Sequence, residues 1–75
     1  MKIGTVTGVV RAARRASCLS GQTFMTVRVD GEELVAADQA GAEVGEQVLL
    51  ATGPTAARFC MEAPVDAAIV AVVEQ

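Results

Sequence analysis

Pro64-Val65-Asp66-Ala67-Ala68-Ile69-Val70-Ala71-Val72-Val73 is the stretch that decides how this chain folds. After Asp66 there is no polar residue until Glu74. A strand with one wet face alternates apolar and polar residues. This one does not, and it reads as a strand covered on both faces. The whole chain has 75 residues and neither Trp nor Tyr, so it has little material with which to cover a strand twice. The expectation is that a second copy of the chain supplies the missing cover. That puts assembly ahead of chemistry.

Composition points the same way. A chain of this length makes one small domain and buries only about 60% of its extended surface on folding. Of its residues, 52% are hydrophobic and only 3% aromatic, so the apolar material is chiefly Val and Ala. Val packs well on a pleated surface, and Ala permits close backbone approach. Small domains often lean on staples. Here there is no His, and Cys18 and Cys60 are too far apart in sequence to form a CxxC pair. No metal or cofactor is expected. A disulfide between the two cysteines would need an oxidising compartment. Met1-Lys2-Ile3-Gly4-Thr5-Val6 begins directly as strand and lacks the h-region of a signal peptide. No apolar run approaches the roughly 20 residues of a membrane span. A cytosolic protein with reduced thiols is expected, with neither membrane nor nucleic acid as partner, the net charge being −3.

Working outward from the last strand, the remaining segments read as a barrel. Lys2 to about Arg15 is a long strand, with Val6 and Val10 on one face and Ile3 and Val9 on the other. Gly4 and Gly8 mark a bend or a close neighbour. Ser17 to Gln22 is a loop. Phe24 to Val29 alternates, with Met25, Val27 and Val29 on one face and Phe24, Thr26 and Arg28 on the other. Asp30-Gly31 then signals a hairpin, since both turn residues accept positive φ. Leu34 to Ala37 and Glu46 to Ala51 are two further strands. Thr55 to Cys60 allows one or two helical turns, with Thr52 or Thr55 as cap. Pro64 opens the fifth strand. The expected fold is all-β: a small five-stranded OB-like barrel, with one short helix before the last strand, filling residues 1–75 as a single domain.

Catalysis finds few residues to work with. Without His, acid–base chemistry would fall to Glu32-Glu33 or to Glu43 and Glu46, and paired carboxylates near turns are usually solvated surface. Neither cysteine has a base to activate it. Gly41-Ala42-Glu43-Val44-Gly45 cannot cradle phosphate, because an acidic residue sits among its amides and strand-like sequence follows. Arg11, Arg14 and Arg15 form a basic group. It serves as a solvated strand end or as a protein contact, since Arg forks onto carboxylates. An alternative function would use the same arginines with Arg28 and Phe24, as an OB-fold module binding single-stranded nucleic acid or a peptide.

Several segments together resemble one family. Lys2-Ile3-Gly4-Thr5-Val6-Thr7-Gly8-Val9-Val10 is similar to the first strand of the EutN/CcmL family of bacterial microcompartment vertex proteins. Leu19-Ser20-Gly21 with Phe24-Met25 resembles its L-x-G loop and second strand. Ala37 to Leu49 resembles its A-D-x-x-G-A-G-x-G-E-x-V-L segment, with Glu43 in place of a usual Gly. Ala57-Arg58 matches the end of its G-S-x-A-R turn, although Pro54-Thr55 departs from it. Pro64 to Glu74 resembles its closing strand. The order and spacing hold over nearly the whole chain. The resemblance implies a cyclic homopentamer that caps the vertices of a shell in the cytoplasm, beside hexameric and trimeric shell proteins. Within it, Asp38, Gly41, Ala42, Glu43 and Gly45 are the candidate five-fold axis loop. Arg11, Arg14 and Arg15 are the candidate shell-edge contacts.

Overall fold

The computed structural model describes residues 1–74. Strand β1 (Lys2–Val10) leads through a 3₁₀ turn (Ser17–Leu19) to β2 (Phe24–Val29). Then follow β3 (Glu32–Asp38), β4 (Gln47–Thr52), a 3₁₀ helix (Pro54–Cys60) and β5 (Ala67–Val72). The strands close into a barrel in the order β1-β2-β3-β5-β4. All neighbours are antiparallel except β3 and β5. This is the expected five-stranded plan with a short helix before the last strand.

Asp30 (φ 50°) and Gly31 (φ 80°) form the tight turn between β2 and β3, both in the left-handed region that this hairpin requires. Strand β1 bends where its register against β2 shifts between Val6 and Gly8. It stops at Val10, opposite Phe24, and not at Arg15, because β2 begins there and residues 11–16 have no strand to pair with. The 17–22 loop contains one 3₁₀ turn, closed by Leu19 N–H on Ala16 O at 3.0 Å.

Two layers of core explain the last strand. Val6, Val27, Val48, Leu50 and Ile69 fill the barrel interior and are essentially inaccessible. Outside the barrel wall, Ala37, Ala51, Ala56, Cys60, Ala63 and Ala68 form a second cluster beneath the 3₁₀ helix. Strand β5 therefore has Ala67 and Ile69 in the first layer and Ala68 in the second. The expectation of two covered faces holds for Ala67 to Ile69, but the second cover is this chain's own helix and not another copy. Small side chains make it possible: Ala against Ala lets the helix lie close on the strands. Val70 still packs against this second cluster but is only half-buried, as is Ala71 after it.

The start of β5 also differs from expectation. Pro64 lies outside the strand, which begins at Ala67, because Val65 N–H turns back to Ala63 O at 2.7 Å. Neither Thr52 nor Thr55 caps the helix; Gly53, at φ 77°, occupies the cap position without a side-chain bond, and Pro54 follows in the first turn.

Candidate functional site

Two loops and two outer faces concentrate what the barrel presents to other molecules. The first loop joins β3 to β4. The Asp38 carboxylate holds it from within, accepting N–H bonds from Ala40 at 3.0 Å, Gly41 at 3.1 Å and Ala42 at 3.0 Å. At the other end Glu46 Oε1 accepts the Glu43 N–H at 2.7 Å, while Glu46 N–H returns to Glu43 O at 3.1 Å. Gly41 (φ 71°) and Gly45 (φ 95°) supply the left-handed conformations that this closure needs. Gly45 N–H and Glu46 O then pair with Val6 O and N–H, fastening the loop to β1. Of the five expected axis residues, Ala42 is turned into the core and the Asp38 carboxylate is occupied by the loop's own amides. Gly41, Glu43 and Gly45 are exposed.

The second loop, residues 11–23, carries the arginines. The structure separates them. Arg15 folds back, donating from Nη1 to Gln22 O at 2.6 Å and to Leu19 O at 3.3 Å, and its guanidinium lies 5.6 Å from the Phe24 ring centroid. It staples its own loop. Arg11 and Arg14 are exposed and make no ion pair or hydrogen bond among the described residues. Arg28 is paired with Glu33 at 3.2 Å. The nucleic-acid alternative therefore loses ground: Phe24 is half-buried and already faced by Arg15, and Arg28 is engaged.

The thiols are both free. Cys18 is exposed, and Cys60, the last residue of the 3₁₀ helix, is buried. Burial pushes the Cys60 thiol up, and a bond from Gln39 Nε2 to Sγ at 3.4 Å offsets part of that rise. Cys60 thus stays a neutral, packed thiol at neutral pH. Among the described residues no cluster of His, Cys, Asp or Glu could hold a metal ion.

Sequence reasoning weighed charges and missed the apolar outer faces. Ile3 on β1 pairs with Leu49 on β4, which pairs with Ala71 on β5. Cross-strand partners share a face, so these three form a ridge across the outside of the barrel. Ile3 is 59% exposed. Elsewhere on the surface, Leu19, Phe24, Val35, Pro64, Val65 and the start of β5 at Ala67 line a groove of about 200 Å³. Val35, 54% exposed, stands in it because β3 pairs with β5 only at Ala37 and Asp38, leaving the first half of β3 open on that side. The signal was present in the outward phase of Ile3 and Val35, but an isolated exposed Val or Ile is ordinary until the fold shows its neighbours.

The family model described as ethanolamine utilisation protein EutN/carboxysome matches residues 1–74. The chain belongs to the EutN/CcmL family. Its relatives in that family include the carboxysome shell vertex protein CcmL of Synechococcus elongatus, 39% identical over 83 aligned residues that span 99% of this chain and 84% of CcmL. Among solved structures, the pentameric microcompartment shell protein GrpN from Rhodospirillum rubrum superposes with a TM-score of 0.87 at 30% identity, over 100% of this chain and 95% of GrpN. A pentameric shell protein from the RMM microcompartment superposes with a TM-score of 0.91 at 34% identity, over 100% and 92% of the two chains. The family's relatives are structural shell proteins.

Proposed function

We propose that this chain is a structural shell protein that assembles as a cyclic homopentamer and caps vertices of a bacterial microcompartment in the cytoplasm. The observation that carries the reading is its likeness, over the full chain, to shell proteins that are themselves pentameric. The mechanism is geometric. Six-fold tiles make a flat sheet, and a closed shell needs five-fold points. A head-to-tail contact whose rotation closes after five copies supplies such a point. No turnover is involved. Native mass spectrometry tests the first step: five copies of 7.7 kDa give a 38.5 kDa ring. A monomer or hexamer at micromolar concentration would overturn it.

In this assembly the β3–β4 loop lies at the five-fold axis, with Gly41, Glu43 and Gly45 forward while Asp38 and Ala42 hold the loop from behind. The 11–16 segment meets the neighbouring hexameric or trimeric tiles, and its free guanidiniums on Arg11 and Arg14 reach carboxylates there. Arg15 serves the loop itself. The double variant Arg11→Glu/Arg14→Glu is expected to leave the pentamer intact and to abolish closed particles when co-expressed with facet proteins. Shells of normal size and yield, seen by electron microscopy, would refute the edge assignment.

A further inference from the structure

Three segments far apart in sequence meet at one polar junction. Gln22 lies near the end of the 11–23 loop, Gln39 follows β3 into the β3–β4 loop, and Cys60 closes the 3₁₀ helix. Gln22 Nε2 donates to Cys60 O at 3.3 Å. Gln39 Nε2 donates to Gln22 Oε1 at 2.7 Å and to Cys60 Sγ at 3.4 Å. We infer that this junction is a clasp that couples the 11–23 loop to the β3–β4 loop. Loosening either loop then loosens the other and frees the end of the helix.

Three observations carry the coupling. First, the two carboxamides fix each other. A carboxamide has one acceptor oxygen and a nitrogen with two hydrogens. Gln39 turns both hydrogens to the junction, and Gln22 meets one partner with each end. Turning the Gln22 amide over would set oxygen against Cys60 O and nitrogen against Gln39 Nε2. Each bond therefore holds the orientation that the other needs. Second, each glutamine is rooted in the bonds of its own loop. Gln22 O accepts Arg15 Nη1 at 2.6 Å, and Gln22 N–H reaches Leu19 O at 3.2 Å. Gln39 N–H reaches Ile69 O at 3.0 Å, and Gln39 directly follows Asp38, whose carboxylate holds the amides of residues 40–42. Third, the helix end held by the clasp is strained. Met61 (φ 54°) and Glu62 (φ 61°) are consecutive non-glycine residues in the left-handed region. Such a backbone persists only where its surroundings fix it. Cys60 O accepts Ala63 N–H at 3.1 Å as well as Gln22 Nε2, so the clasp supplies part of that hold. Opening it lets the turn relax and uncovers the buried Cys60 thiol.

In the shell role proposed above, the 11–16 segment meets neighbouring tiles and the β3–β4 loop lies at the axis. The clasp then passes a contact made at the edge to the axis. That consequence rests on the pentameric reading; the clasp itself does not.

Amide exchange and thiol labelling test the coupling, with Cys18→Ser as the parent so that a maleimide reads Cys60 alone. Gln22→Ala is expected to speed exchange at residues 40–43, in the other loop, as well as at Leu19 and Ser20. The factor should be roughly two- to tenfold, the equilibrium equivalent of one net hydrogen bond. Cys60 labelling should rise by a similar factor. Gln39→Ala should do the same in both loops. The double variant should be no faster than the faster single, because one junction is broken once. Gln22→Glu divides the junction: its carboxylate still accepts from Gln39 but cannot donate to Cys60 O. Labelling should then rise while exchange at 40–43 stays near the parent. Effects confined to each variant's own loop, or rates that multiply in the double variant, would overturn the clasp. Both glutamines lie outside the core, and the Asp38 N–H bond to Thr23 O at 2.7 Å needs neither side chain, so the barrel should persist. Circular dichroism checks this. Should an alanine variant not fold, Gln39→Glu, which keeps the length and loses both donors, carries the same comparison beside Gln22→Glu. Native mass spectrometry of the same samples reads the ring separately, so loss of the pentamer and loss of the clasp are told apart.

Discussion

Gly4→Ala is expected to destabilise the barrel by about 1–3 kcal/mol, the usual range for forcing an extra carbon into a packed interior. A Cβ built on Gly4 would lie 2.7 Å from Val27 Cγ1, 2.8 Å from Val29 Cγ2 and 2.8 Å from Arg28 O. The two methyls could shift. The carbonyl cannot, because β2 is held by a ladder on each side, to β1 and to β3. Replacing a strand Gly by Ala ordinarily gains roughly 0.5–1 kcal/mol from the backbone. Here the clash outweighs that gain. For a domain this small the melting temperature should fall by roughly 5–20 °C. Gly8 provides the internal control: its added Cβ would meet only the Thr26 hydroxyl, at 3.0 Å, and a side chain can rotate away. Gly8→Ala should stay within about 1 kcal/mol of the parent. Thermal melts of both variants decide it, and a Gly4→Ala protein as stable as Gly8→Ala would show that β1 does not approach β2 as described.

These two glycines show how much of the fold was legible and where legibility stopped. The sequence marks Gly4 and Gly8 equally, as strand glycines near a bend or a neighbour. Only the register shift between Val6 and Gly8 separates them, by carrying Gly8 past the bend to where only the Thr26 hydroxyl is near. The hairpin at Asp30-Gly31 was legible because its chemistry is local. The double cover of β5 was legible as a fact but not in its cause. An Ala-rich helix such as Pro54–Cys60 carries no strong periodicity to announce which strand it will cover. Among the arginines, sequence proximity grouped Arg15 with Arg11 and Arg14. Its bonds to Leu19 and Gln22 and its place over Phe24 depend on a loop path that no local pattern encodes.

Asp38→Ala should loosen the β3–β4 loop and cost about 1–3 kcal/mol, the usual range when hydrogen bonds to a charged group are lost. The carboxylate accepts three backbone N–H groups, from Ala40, Gly41 and Ala42. Two of these amides belong to exposed residues, where water can replace Asp38. Ala42 is different. It sits in the core cluster, 7% exposed, so its N–H loses a partner where water arrives less easily. The loss should therefore concentrate at Ala42 and spread to its neighbours, and amide exchange at residues 40–43 should accelerate while β1 and β2 stay protected. Asp38→Asn separates the contributions. Its carbonyl can still accept from Ala40 and Gly41, but its amide nitrogen faces the Ala42 N–H, donor against donor. It should fall between the parent and Asp38→Ala in stability, with exchange accelerated mainly at Ala42. Unchanged exchange in Asp38→Ala would mean that the Glu43–Glu46 pairing and the Gly45–Val6 bond hold the loop without the carboxylate. The outcome bears on assembly as well. A loop proposed to line a five-fold axis repeats any displacement five times around the ring, so a local loosening that a monomer tolerates would be felt by the whole vertex.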